Sequence, residues 1–137
     1  MILPLLKGLT VTLKYFFSKP FAMQYPDEKM EMTDLWRGIH YFARREDGST
    51  KCVACGLCEA VCPSDCIYVE AEEYKNGVRF PRVYEIDGTR CIFCGYCEEI
   101  CPVNAIKMGN NYEYVKHERS DFVFNTNFLI DQEKLNR

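Results

Sequence analysis

The sequence has no apolar run long enough to cross a bilayer. Its most apolar stretch, Ile2 to Phe17, carries Lys7 and Lys14. As a helix it would be ~24 Å long against a hydrocarbon core of roughly 30 Å. Positive charge is not in excess either: 17 Lys and Arg against 20 Asp and Glu leave a net charge of -3 and a pI near 5.4, which argues against general nucleic-acid binding. There is no P-loop, no dinucleotide fingerprint and no nucleophile–base pair by spacing, so no independent catalytic site is expected. No basic segment precedes the apolar start and no small-residue cleavage site follows it. A reducing compartment is therefore expected, where cysteines serve as thiolates and not as disulfides.

Cysteine is abundant, with nine in 137 residues. Eight fall in two runs, Cys52, Cys55, Cys58 and Cys62 before Pro63, and Cys91, Cys94, Cys97 and Cys101 before Pro102. Each reads C-x2-C-x2-C-x3-C-P, the ligand pattern of two-cluster bacterial ferredoxins, in which the fourth cysteine reaches the other cluster. Three thiolates at two-residue gaps wrap one face of an iron–sulfur cube, and the fourth, a helical turn on, faces away. One [4Fe–4S] cluster is then expected on Cys52, Cys55, Cys58 and Cys101, and a second on Cys91, Cys94, Cys97 and Cys62. Structural zinc also takes four cysteines, but as two C-x2-C pairs with a long gap between them. A core this small buries little apolar surface, so metal–thiolate bonds are expected to supply much of its stability.

The fold class expected is α+β: a ferredoxin-like domain with a pseudo-twofold duplication, plus an N-terminal amphipathic helix and an extended arm. The chain divides at the sequence level into 1–50 (helix and interface arm), 51–115 (duplicated two-cluster domain) and 116–137 (C-terminal tail). Ile2, Leu5, Leu6, Leu9, Leu13, Phe16 and Phe17 share one helical face, opposite Lys7 and Lys14. That face suits a membrane surface or a partner groove, and periodicity does not separate the two. From 18 to 50 Pro and mixed charge predict no regular element, and the stretch Trp36 to Arg45 reads equally as an interface or as a loop over the first cluster. His40 is read as a structural residue able to titrate near neutral pH, not as a ligand.

Lys51/Arg90, Gly56/Gly95, Glu59/Glu98, Pro63/Pro102 and Ile67/Ile106 align at an offset of 39 residues (91 minus 52). Each unit reads as loop, short helix, hairpin: Ile67 to Val69 out, a turn at Asn76-Gly77, Val78 to Tyr84 back, and in the second copy Ile106 to Met108 out and Tyr112 to Val115 back. Val53, Val61, Ile67, Ile92, Ile100 and Ile106 are expected to wall the clusters. Gly56 and Gly95 are expected at positive φ or in close approach to inorganic sulfide. Asp65 and Asn104 are read as caps of the following turn, and Cys66, aligned with Ala105, as a small buried apolar residue.

Further blocks carry a specific resemblance: Leu6-Lys7-Gly8-Leu9, Tyr15-Phe16-Phe17-Ser18-Lys19-Pro20, Gln24-Tyr25-Pro26, Arg37-Gly38-Ile39-His40, and the openings of the two runs at Lys51 and Arg90. Together they resemble the two-cluster ferredoxin-like subunit (subunit I) of the proton-pumping NADH:quinone oxidoreductases, respiratory complex I, over about residues 5 to 130. The resemblance implies a peripheral subunit on the cytoplasmic side of a bacterial inner membrane. It would relay electrons from NADH-side cluster-bearing subunits to the subunit with the terminal cluster, with residues 2–17 docked where the peripheral arm meets the membrane arm near the quinone site. A ferredoxin-like subunit of a membrane-bound hydrogenase-type complex shares the same core. A free soluble ferredoxin leaves the apolar N-terminal face unexplained.

Overall fold

A computed structural model describes residues 2–33, 35–74 and 77–135 of the chain, which forms two compact units, residues 1–31 and 32–137. The first holds helix α1, Ile2–Phe16, with Pro4 in its first turn, where a missing N–H costs nothing. None of its residues is buried. Among the described residues no helix is long and apolar enough to cross a membrane.

In the second unit, chain order is β1 (His40–Phe42), α2 (Leu57–Val61), β2 (Ile67–Glu73), β3 (Arg79–Asp87), α3 (Tyr96–Glu99), β4 (Ile106–Met108), a 3-10 turn (Arg119–Phe122), β5 (Val123–Asn125), α4 (Thr126–Gln132) and a last 3-10 turn (Glu133–Leu135). β2 and β3 form the expected hairpin, with Ile67 opposite Ile86 and Glu73 opposite Arg79. Gly77 takes φ +79°, while Asn76 lies outside the described residues.

The second copy departs from the sequence reading. β4 pairs not with a returning Tyr112–Val115 strand but with β1, with His40 opposite Met108 and Phe42 opposite Ile106. A regular element therefore stands within 18–50, where Pro and charge had predicted none. β1 wins because His40 and Phe42 bury almost completely on one face, which outweighs the local preference for a short hairpin. Its entry is specific. Gly38 and Ile39 donate N–H to the carbonyls of Gly109 and Asn111 at 2.8 and 2.9 Å, and a Cβ on Gly38 would fall on those same two oxygens.

β5 adds to the far edge of β3, Phe124 opposite Ile86. Asn125 then caps α4, its Oδ1 accepting the Phe128 N–H at 2.9 Å. Leu129 on α4 is fully buried, in one cluster with Phe42, Ile67, Tyr84, Ile86, Ile106 and Phe124. Arg44 ties α4 to the end of β1, donating to the Ile130 carbonyl at 2.7 Å and pairing with Glu133 at 3.1 Å.

Candidate metal centre

The two cysteine loops have the same backbone. Ala54 and Phe93 (φ +48° and +53°), Gly56 and Gly95 (+77° and +83°), and Asp65 and Asn104 (+47° and +49°) are left-handed in pairs 39 residues apart (93 minus 54). The glycines stand directly before α2 and α3, where the chain must turn into a helix after two closely spaced cysteines and bring the third, Cys58 or Cys97, in on its first turn. Asp65 and Asn104 are turn residues: each donates its N–H back to the carbonyl of the run's last cysteine, Cys62 or Cys101, at 3.2 Å. Asn and Asp tolerate that conformation better than other residues with a Cβ. Before the runs, Ser49 and Thr89 donate both N–H and hydroxyl to Asp47 and Asp87, at 2.9 and 2.6 Å in each case, and brace the entry to each loop.

Two cavities result. One, of about 350 Å³ with its mouth included, is lined by Cys52, Cys55, Cys58 and Cys101 with Phe42, Val53, Val69, Tyr84 and Ile106 among its walls. The other, of about 280 Å³, is lined by Cys62, Cys91, Cys94 and Cys97 with His40, Cys66, Ile67 and Ile92. The first therefore joins three cysteines of one half to Cys101 of the other, and the second joins Cys91, Cys94 and Cys97 to Cys62 and Cys66. Phe42 and His40, two residues apart on the same face of β1, reach one cavity each.

The donor sets fit an iron–sulfur cube. Among the described residues no Lys or Arg lines either cavity. Burial pushes the Cys52 thiol up to about 11 and Cys97 up to about 12, and it also raises Cys58 and Cys91. Thiolates there need a buried positive partner, which iron supplies. Cys62 stands lower: burial raises it, but hydrogen bonds from the Cys66 backbone and the Ser64 hydroxyl outweigh that. Backbone N–H groups of Ala54, Phe93 and Ala105 donate to the sulfurs of Cys52, Cys91 and Cys101 at 3.4, 3.4 and 3.2 Å. Such donors stabilise the more negative, reduced state of a cluster. Among the described residues no three His, Cys, Asp or Glu converge on the single point a zinc ion requires.

Several residues at these cavities were not assigned to them from sequence. Tyr84, 1% exposed, donates its hydroxyl to Cys58 Sγ at 3.4 Å. Its place on a half-buried strand gave no hint of a sulfur partner. His40 is buried with Nε2 3.9 Å from Cys91 Sγ, its ring stacked on Phe93. Burial lowers its pKa to about 4, against a smaller opposing pull from Glu98. It is therefore neutral at pH 7 and does not titrate there. Cys66 is buried, as read, but at the second cavity beside a candidate ligand. Arg37 donates to the Cys94 carbonyl and to Glu99 and so braces the second binding loop, while Phe42 of the same stretch lines the first cavity. Ile92 and Ile100 are exposed and wall nothing off completely, while Ile67 and Ile106 are buried.

The comparisons with known proteins agree with the cavity chemistry. A family model described as a 4Fe-4S dicluster domain matches residues 51–105. NADH-quinone oxidoreductase subunit I 1 of Geobacter sulfurreducens is 48% identical over 132 residues, 96% of this chain and 99% of the relative. Subunit I 2 of Geobacter metallireducens is 46% identical over 132 residues, 96% of this chain and all of the relative. Subunit I of Francisella tularensis is 50% identical over 117 residues, 85% of this chain and 72% of the relative. Among solved structures, a chain of the membrane-bound sulfane sulfur reductase, an archaeal respiratory membrane complex, superposes with a TM-score of 0.57 at 30% identity, covering 80% of this chain and 55% of that one. Near-half identity along almost the whole length, N-terminal unit included, goes well beyond a shared cysteine pattern: the chain belongs to the NADH-quinone oxidoreductase subunit I family.

Proposed function

We propose that this chain is the electron-relaying subunit I of a proton-pumping NADH:quinone oxidoreductase, holding two [4Fe–4S] clusters and no catalytic site of its own. The first cluster is assigned to Cys52, Cys55, Cys58 and Cys101, the second to Cys91, Cys94, Cys97 and Cys62. The observation that carries this reading is the sorting of distant cysteines between the two cavities, Cys101 with the first run and Cys62 with the second. The recurrence of left-handed residues 39 positions apart supports a pseudo-twofold duplication.

When bound, each cluster takes up and gives up one electron. The chain's residues set the conditions. Crossed cysteines tie the two halves together, so neither site closes without the other. Phe42, Val69, Ile106 and Ile67 keep water from the sulfurs, and backbone N–H groups with the Tyr84 hydroxyl favour the reduced state. Electrons enter from the NADH-side cluster-bearing subunit and leave to the terminal-cluster subunit beside the quinone. The subunit sits on the cytoplasmic face of the inner membrane, and the exposed apolar side chains of α1 dock it at the membrane arm.

The test is purification of the tagged chain in mild detergent with identification of what accompanies it. NADH-oxidising and terminal-cluster subunits are the expected partners. A nickel hydrogenase, or another complex like that of the archaeal structural neighbour, would replace this reading with the second one. An isolated monomer soluble without detergent would favour a free ferredoxin.

A further inference from the structure

The two halves differ at one place that matters to the metal. Four residues after the crossing cysteine, the second half carries Ala105 and the first carries Cys66. Cys66 is only 6% exposed, lines the second cavity and lies with its Sγ 3.4 Å from that of Cys62. Cys62 ends α2, and the left-handed turn at Asp65 swings the chain back so that both sulfurs face the same space. An independent feature of that cavity is His40: it is 1% exposed and its Nδ1 has no hydrogen-bond partner. Beyond its four cysteines the second cavity is lined by the protic side chains of His40, Ser64, Cys66 and Tyr96, and of these Cys66 is the thiol. At the first, the position matching Cys66 offers only a methyl group.

An iron-bound thiolate accepts hydrogen bonds and cannot donate them, so the direction of the short sulfur–sulfur contact is fixed: Cys66 S–H donates to Cys62. We propose that Cys66 is a fifth thiol of the second cluster's site, a hydrogen-bond donor to Cys62 at rest and the ligand that takes its iron when Cys62 is lost or displaced. This rests on the two-cluster reading above. In the exchange the Fe–S bond to Cys62 breaks and Cys62 takes up a proton, while Cys66 releases its proton and forms the new Fe–S bond. Total charge and iron oxidation state are unchanged, and no oxidant or reductant is consumed. The first cluster has no such reserve.

The experiment compares iron content and paramagnetic resonance spectra of full-length chain assembled in its complex, or reconstituted anaerobically with iron and sulfide. Wild type should hold about eight irons, four per cube; a count near four there would sink the two-cluster reading itself. Cys66→Ala should also hold about eight, since Cys66 is not a resting ligand, and a lower count overturns the proposal. Cys62→Ala should keep about eight with an altered second-cluster signal, whereas Cys62→Ala with Cys66→Ala should fall to about four. Cys101→Ala, with no thiol at position 105, should fall to about four by itself. A count of four or fewer in Cys62→Ala alone, or of eight in the double variant, overturns the reserve-ligand assignment.

Discussion

Replacing Tyr84 with Phe removes one hydrogen bond and leaves the packing alone. The ring is buried and meets Phe42 edge-on at 4.7 Å, contacts that Phe preserves. Burial, and then the neighbouring Cys58, push the phenol well above its ordinary value, so the hydroxyl stays protonated and donates to Cys58 Sγ at any working pH. A thiolate ligand gains electron density when its cluster is reduced, which strengthens the O–H···S bond in that state. Hydrogen bonds to charged groups contribute about 1.5–3 kcal/mol. If about a third of that, ~0.5–1 kcal/mol, differs between the redox states, its loss lowers the one-electron potential by ~20–40 mV, since a tenfold change in equilibrium corresponds to about 59 mV. A potentiometric titration followed by paramagnetic resonance should therefore show the first cluster shifted negative and the second unmoved, at full iron content. An unmoved first cluster, or a shift confined to the second, would refute both the donor role of Tyr84 and the assignment of Cys58.

Leu129→Ala should destabilise the 32–137 unit by about 2–5 kcal/mol, as for other fully buried leucines. A denaturant midpoint equal to wild type would mean that α4 is not part of the working core. Leu9 and Leu13 are both more than half exposed, so changing both to Asp should cost no cluster but should release the chain from its complex; co-sedimentation with partner subunits reads this directly, and undiminished assembly removes α1 as the anchor. Chelating the iron should strip the buried thiolates of their counter-charge. The circular dichroism of β2 and β3 should be lost with the iron absorbance, and a spectrum that survives full iron removal would show that packing alone holds this unit.

What could be read from the residues is what is encoded within a few positions of the chain. The cysteine spacing and the glycines before α2 and α3 describe loops whose conformation depends on local sterics, and the β2–β3 hairpin follows from apolar alternation around a turn. Residues far apart in sequence carry no such mark. That β1 displaces the expected return strand beside β4 depends on burying His40 and Phe42 against a surface more than 60 residues away, and on Gly38 letting two backbones touch. The 116–137 stretch reads as polar with an apolar interruption, yet Phe124 and Leu129 are deeply buried, and their value lies in the sheet they cover.

The sequence by itself determined the metal chemistry, because eight thiols at those intervals suit little else, and it carried the family likeness through its N-terminal blocks. Only the tertiary structure decided what surrounds each set of sulfurs: Tyr84 on Cys58, His40 near Cys91, and Cys66 against Cys62. The reason is physical. Ligand spacing is a property of one loop, whereas the field at a sulfur is the sum over side chains that strands and turns from the whole unit bring within a few ångströms.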